Sequence, residues 1–374
     1  MNIALYRNLS CQRREQEEYR IRKWMSLNGH TECDAPEADL LIFTSCGYDR
    51  TNYNLAIDQL IKMIPYNIIT TVVGCFPSID PGNPLLANFN TLKLRDLNAY
   101  FDTLGGIPMS PIMDKDCDHY GVHIATGCVG NCTYCGSCRA TGKVKSIEPH
   151  IILENVIDMW SRGITPMLLA EDTGAYGMDC SSTIVGLLDL LRRNARKEDK
   201  IIVDNMDAQW FMLHYDALRQ MLDSDFIIRL PLGVQSFNHE VLAKMNRRNN
   251  YDSHLLAERI REIADARMAR SGKDYCDNLD IHLLVGYPGE TREEMHVTMS
   301  IVDRLLSDNI PFCASPFFRH INMDLQEKEL SPNEYQFRCN ALYAGAPEFK
   351  WICPAYHYKL YDCICTVDRK GKML

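Results

Sequence analysis

The chain has 374 residues, of which 46% are apolar and 24% charged, an ordinary soluble composition and enough length for two or three packed domains. Forty basic against 49 acidic side chains give a formal charge of −9, which excludes a global positive field drawing the protein onto nucleic acid or an anionic membrane. Sixteen cysteines are too dilute for a small disulfide scaffold and generous for a cytosolic enzyme, so metal or redox chemistry is the first expectation.

Met1 to Arg7 runs directly into the charged stretch Arg13-Arg14-Glu15-Gln16-Glu17-Glu18 without a signal-like apolar region. No apolar run approaches the roughly 18 to 20 residues a membrane helix needs. The expectation is a cytoplasmic protein without membrane contact, its cysteines free or metal-bound. Short apolar runs at Ile3 to Tyr6, Leu40 to Phe43 and Ile68 to Val73 alternate with helix-like stretches, one ending near Leu27 and another over Leu55 to Ile64. Buried strands alternating with helices predict a small parallel-sheet α/β domain over residues 1–100. Gly105-Gly106, Pro108 and Pro111 mark 101–120 as a linker.

A second series has strands expected at 122–125, 167–170, 201–205, 226–233, 279–285 and 312–316. Helical patterns follow the first five, among them Ile151 to Arg162, Thr183 to Ala195 and Glu293 to Leu306. Six strand–helix repeats predict an open or partial barrel of parallel strands over 121–318, with its site at the strand C-terminal ends. Residues 319–374 fit no repeat and read as a short extension, with a hairpin-like aromatic end around Trp351, Tyr356, Tyr358 and Tyr361.

Directly after the first barrel strand stands Thr126-Gly127-Cys128-Val129-Gly130-Asn131-Cys132-Thr133-Tyr134-Cys135. The C-x3-C-x2-C spacing lets one tight loop turn three sulfurs toward a common point, and the two glycines permit close backbone approach to an inorganic sulfide. Three thiolates leave one iron of a 4Fe-4S cluster open for a substrate or cosubstrate. Cys138, three residues on, offers the alternative of a closed zinc or ferredoxin-like site; it reads as a neighbour rather than a ligand.

This loop resembles the hallmark of the radical S-adenosylmethionine (SAM) superfamily, in which an aromatic residue such as Tyr134 precedes the third cysteine. The resemblance implies a partial (β/α)6 TIM-like barrel in which the SAM amino and carboxylate groups chelate the open iron. Electron transfer from an external donor such as flavodoxin or ferredoxin would then release a 5′-deoxyadenosyl radical. By the same resemblance Glu171 and Thr173, at the end of the second barrel strand, would meet the SAM amine, and Gln235 and Ser236 would contact adenosine or methionine. Their bland alternatives are a cap at Asp172 and Thr173 and turn chemistry before a helix at Asn238.

In the amino-terminal domain Cys11, Cys46 and Cys75 each follow a predicted strand, so all three are expected at the one sheet edge where parallel α/β folds keep their ligand sites. Here the chain resembles the narrower family of radical SAM methylthiotransferases. Further matching segments are Ser146-Ile147-Glu148-Pro149, Ala170-Glu171-Asp172-Thr173-Gly174, Pro231-Leu232-Gly233-Val234-Gln235-Ser236, Met245-Asn246-Arg247 and Val285-Gly286-Tyr287-Pro288-Gly289-Glu290-Thr291. The resemblance covers roughly residues 1–318. It implies a second, auxiliary 4Fe-4S cluster on Cys11, Cys46 and Cys75 that carries sulfur, and replacement of a C–H hydrogen by a methylthio group.

The departures bear on substrate handling. Gln12 is followed by Arg13-Arg14-Glu15, Thr44-Ser45 precede Cys46, Gly233 is an extra residue, and Ala314-Ser315-Pro316-Phe317-Phe318 lacks the usual Pro-Gly-Thr. The tail also looks too short for the terminal β-barrel with which family members hold RNA or a ribosomal protein. Together with the net charge this favours a peptide or protein substrate, including a ribosomally made natural-product precursor, over tRNA. A radical SAM enzyme of different outcome and a non-catalytic iron–sulfur module are the alternatives. Arg247-Arg248 is the one basic pair expected near the barrel mouth.

Overall fold

A computed structural model describes residues 1–8, 12–47, 50–109, 121–247, 250–310, 312–317, 330–331, 333–334 and 337–338. The amino-terminal unit contains β1 (Asn2–Arg7), α1 (Gln12–Leu27), β2 (Thr31–Glu32), β3 (Leu40–Ser45), α2 (Arg50–Met63), β4 (Ile69–Gly74), α3 (Phe76–Ile79), β5 (Asn90–Leu92) and α4 (Leu97–Thr103). Its five strands lie parallel in the order β2-β1-β3-β4-β5. Alternation along each strand feeds two cores. Ile3, Leu40, Ile42 and Val73 pack with Trp24 and Phe101 on one face. Ala4, Leu41, Phe43 and Val72 pack with Leu60 and Phe76 on the other.

The expected boundary at residue 100 moves. Leu97, Phe101 and Met109 belong to the amino-terminal core, and the Asn28 side chain bonds both the amide (2.6 Å) and the carbonyl (3.1 Å) of Ile107. Apolar packing and side-chain capping of the loop, not its Gly and Pro content, therefore decide that this unit runs to at least residue 109. Residues 110–120 lie outside the described residues.

The second unit runs β6 (Gly121–His123), β7 (Ala125–Thr126), α5 (Ser137–Thr141), β8 (Lys145–Ser146), α6 (Pro149–Ser161), β9 (Met167–Leu169), α7 (Ile184–Asn194), β10 (Ile201–Val203), β11 (Met206–Asp207), α8 (Ala208–Leu213), α9 (Tyr215–Asp223), β12 (Ile227–Gln235), α10 (His239–Lys244), α11 (Ser253–Ser271), β13 (Leu279–Val285), α12 (Arg292–Ser307) and β14 (Phe312–Pro316). The spatial order β14-β13-β12-β10-β9-β6 follows the chain, and the pairs along it are parallel. This is an open (β/α)6 barrel, with helices packed on the outward apolar side chains.

Two details depart from the expected strands. The run 201–205 breaks after Val203 because the Asn205 carbonyl leaves the ladder to accept the amide (2.9 Å) and hydroxyl (2.6 Å) of Thr173. The extra Gly233 is absorbed as a register shift between Gly233 and Gln235, with Gln235 at φ +68°; a bulge of this kind re-aims a strand end next to a site. The turn before α12 carries a reciprocal Thr291–Glu294 capping box. No helix among the described residues is long and apolar enough to cross a membrane.

The two units touch along α1. Gln16 Oε1 accepts the amide of His123 on β6 (3.1 Å), His123 Nε2 lies 3.1 Å from the Arg13 carbonyl, and Arg13 Nη2 pairs with Asp204 Oδ2 at 2.6 Å. A helix of the first unit thus satisfies polar groups at the barrel's open edge, which would otherwise be exposed.

Candidate metal centre

The cysteine loop is clamped at its root. Antiparallel β7 and β8 bring its ends together, Cys128 donates its amide to the Gly142 carbonyl (3.0 Å), and Gly127 sits at φ +84° where a Cβ would lie 2.1 Å from the Lys143 carbonyl oxygen. Only glycine fits there. At Gly130 a Cβ would lie 3.3 Å from Cys128 Sγ and 3.7 Å from Cys132 Sγ, so two sulfurs converge on a space that a side chain would fill. The Gly130 amide donates to Cys128 Sγ at 3.2 Å.

The donor set fits an iron–sulfur cluster. Burial pushes the Cys128 thiol up to about 12, and burial likewise raises that of Cys132; soft thiolates so placed gain most by pairing with metal cations. Cys135 moves the other way, downward, because the Cys138 thiol donates to it. Cys138 Sγ also lies 3.2 Å from the Cys135 carbonyl oxygen. Among the described residues no three His, Cys, Asp or Glu side chains converge on a single ion. Thiolates ligating different irons of one cluster need not meet at a point.

Arg247 ties this loop to the barrel. Nη1 donates to Tyr134 Oη (2.9 Å) and lies 3.9 Å from Cys132 Sγ, while Nη2 meets Asp207 Oδ2 at 3.0 Å and donates to the Gly233 carbonyl. Burial opposes its charge, but Tyr134, Asp207 and Cys132 together outweigh that and hold the guanidinium well above its ordinary pKa. Below it, Asp172 accepts from Trp210 Nε1 (2.7 Å) and from the amides of Asp207 (3.1 Å) and Gly174 (3.2 Å). Burial, then the Asp207 charge, lifts the Asp172 carboxyl to about 6.

The residues expected to contact SAM separate into two groups. Tyr134 packs beside Val241, Leu242 and Tyr287; Glu171 Oε2 accepts the Gly127 amide at 2.7 Å, at the root of the cluster loop; and Gln235 Nε2 lies 3.2 Å from where a Gly233 Cβ would stand. Glu171 is thus tied directly to the cluster loop, and Tyr134 is tied to the Gly233 carbonyl through Arg247. Thr173 and Ser236 bond their hydroxyls to neighbouring protein groups. Thr173 is fully buried with its hydroxyl on the Asn205 carbonyl, and Ser236 is buried against Thr298 (2.9 Å) while accepting the Asn238 amide (3.1 Å). Asp172 is indeed a cap, of the short turn Thr173–Ala175.

In the first unit Ser45 pairs with Gly74, so Cys46 and Cys75 leave adjacent parallel strands at the same edge. Cys75 donates its amide to the Ser45 carbonyl (2.8 Å), and Asn8, just past β1, receives the Cys46 amide (2.6 Å) while donating to the Cys46 (3.0 Å) and Asn52 (2.7 Å) carbonyls. Cys11 lies outside the described residues. α3, which starts immediately after Cys75, packs on α5, which starts two residues after Cys135. The two cysteine edges therefore abut. Sequence reasoning singled out Arg247 as a basic residue near the mouth and Asp172 as a cap, and missed Asp207 and Trp210, whose roles come from cross-strand burial that no local pattern reports.

Residues 122–302 match the Radical SAM superfamily. A probable threonylcarbamoyladenosine tRNA methylthiotransferase of Pyrococcus abyssi is 25% identical over 326 residues, covering 81% of this chain and 74% of the relative. A tRNA-2-methylthio-N(6)-dimethylallyladenosine synthase of Clostridium botulinum is 24% identical over 381 residues, covering 90% and 79%. The solved structure of a radical SAM methyltransferase from Kitasatospora setae, with tryptophan and a SAM analogue bound, superposes with a TM-score of 0.60 at 12% identity, covering 83% of this chain and 72% of that one; it shares the fold. The chain thus carries a radical SAM domain and is homologous to tRNA methylthiotransferases. Neither relative's name concerns a peptide.

Proposed function

We propose that this radical SAM protein, related to the methylthiotransferases, replaces a C–H hydrogen of its substrate by a methylthio group, and that the substrate is a modified adenosine of tRNA. The observation that carries the reading is the contact between the two cysteine edges: Cys46 and Cys75 leave their sheet beside α3, and α3 packs on the helix that follows Cys128, Cys132 and Cys135. A 4Fe-4S cluster on the latter three would supply reductive cleavage of SAM with an electron from a flavodoxin- or ferredoxin-like donor, and a second on Cys11, Cys46 and Cys75 would supply sulfur.

This chain's own side chains then have definite tasks. Glu171 braces the Gly127 amide, and Arg247 holds Tyr134 and the Gly233 carbonyl in one arrangement. Gln235, whose Nε2 lies beside Gly233, is our candidate contact for SAM. The net charge of −9 supports a second reading, a peptide or protein side chain as acceptor, since phosphate binding draws on Lys and Arg.

The test is anaerobic reconstitution with iron, sulfide, SAM and reductant, followed by incubation with tRNA lacking the methylthio group or with candidate peptides. About eight irons per chain and methylthio gain on tRNA support the proposal. Gain on peptide alone moves the substrate, and about four irons with SAM cleavage but no sulfur transfer points to another radical SAM outcome.

A further inference from the structure

Charge is not spread evenly over this acidic chain. No Asp or Glu stands from Gly121 to Ile147, nor from Pro81 to Arg95. The first stretch holds the cysteine loop, α5 and β8 and brings Arg139, Lys143 and Lys145; the second brings Lys93 and Arg95. All five residues are exposed.

The fold gathers the two groups. Leu92 at the end of β5 pairs with Val73, so Lys93 leaves the parallel sheet at the edge from which Cys75 departs. The turn Leu94–Asp96 that follows packs on α5, the helix that carries Arg139 and on which α3 also packs. Lys145 pairs with Thr126 in the β7–β8 hairpin, and a Cβ on Gly127 would lie 2.1 Å from the Lys143 carbonyl oxygen, so both lysines stand at the root of the cysteine loop. The cations therefore flank the seam where the two cysteine edges abut, Lys93 and Arg95 from the first unit and the others from the second.

Little of this charge is spent within the protein. Arg95 Nε lies 3.8 Å from Asp96 Oδ1, with both side chains more than half exposed, and such a pair is worth little. Among the described residues Lys93, Lys143 and Lys145 have no carboxylate partner. On the outer helices of the barrel exposed cations are matched: Arg219 meets Glu262 at 2.9 Å, Arg261 meets Asp308 at 2.6 Å and Arg292 meets Glu334 at 2.6 Å. Uncompensated like charges beside a reaction site raise the local concentration of an anionic partner.

That partner has to engage both units. An electron donor needs to reach only the cysteine loop of the second, and Lys93 and Arg95 of the first would not serve it. A phosphodiester backbone carries charge at every residue and can follow the cations across the seam, setting register while leaving the bases to the site.

We propose that Lys93, Arg95, Arg139, Lys143 and Lys145 form a phosphate-binding rim for the RNA substrate. This rests on the tRNA reading above and names the surface by which an acidic chain takes a polyanion. The local field, not the net −9, decides the approach.

The reconstituted full chain is titrated with a hairpin RNA carrying an unpaired adenosine in its loop, over a series of salt concentrations. Contacts from all the rim cations predict a log–log salt slope of about −4. Lys93→Gln/Lys143→Gln/Lys145→Gln, with iron content and melting curve unchanged, should bring the slope to about −2 and weaken binding at least tenfold at about 0.1 M salt. Arg192→Gln/Arg193→Gln, an exposed pair in the last turn of α7, should bind as wild type does. An unchanged slope in the triple variant, or an equal loss in the α7 pair, would overturn the rim. A triple variant that binds RNA normally but loses SAM cleavage driven by flavodoxin, while keeping that driven by dithionite, makes the surface a donor dock and defeats the proposal. A wild type that has no affinity for RNA and thiomethylates a peptide removes the tRNA reading first, and the rim with it.

Discussion

Gly74→Ala disturbs the Cys46–Cys75 edge without touching a thiol. Gly74 has φ +113°, and a Cβ there would stand 2.1 Å from the Ser45 carbonyl oxygen and 2.9 Å from its amide nitrogen. An L-residue held at such a φ costs about 1–3 kcal/mol. An ordinary contact needs more than an ångström of further separation, which breaks the 2.8 Å bond from the Cys75 amide to the Ser45 carbonyl. Ser45 is fully buried, so its orphaned oxygen adds about 1–3 kcal/mol. The sum, about 2–6 kcal/mol, is a large share of a domain's stability and is concentrated at the edge proposed to hold the second cluster. Iron and sulfide analysis should fall from about eight to about four irons per chain, with loss of methylthio product. Gly82→Ala, in the connection after β4 with nothing within 4 Å of its Cβ, should leave iron unchanged. Eight irons and an unaltered melting curve in Gly74→Ala would refute the reasoning.

Cys138→Ala should retain the iron bound at the C-x3-C-x2-C loop, because Cys138 only donates to Cys135, whereas Cys135→Ala should lose it; equal loss in both would make Cys138 a ligand. Arg247→Met should lower stability by about 3–5 kcal/mol in a denaturant titration, since it strands the Asp207 charge beside buried Asp172, and the iron of the loop should become labile; a change under about 1 kcal/mol would contradict this. Glu290 is raised to about 7 by burial, which outweighs the opposing pull of Arg338. The native state then holds more protons than the unfolded state between about 4.5 and 7, so stability should fall by about 3 kcal/mol as pH rises through that window. Glu290→Gln should flatten the profile measured from urea midpoints, and identical slopes in the two proteins would be inconsistent with it.

The fold was legible where periodicity and local chemistry agree. Strands 279–285 and 312–316 form as expected, because an apolar run bounded by turn signals states its own conformation. The helix before Gly105 escaped notice: at seven residues, Leu97–Thr103, its pattern is short, and its stability comes from Leu97 and Phe101 packing on a sheet formed elsewhere in the chain.

By itself the sequence determined the local pattern: three thiols in one loop at C-x3-C-x2-C, and glycines where the backbone must pass close. These are local properties, since spacing along the chain sets which sulfurs one turn can gather. Only the tertiary structure decided that Thr173 and Ser236 spend their hydroxyls on neighbouring groups, that Arg247 reaches Cys132, and that Arg13 crosses from one unit into the lumen of the other to meet Asp204. Each joins residues that parallel strands and crossover helices bring together from distant positions, and the energy of a buried charge depends on partners that no local pattern encodes.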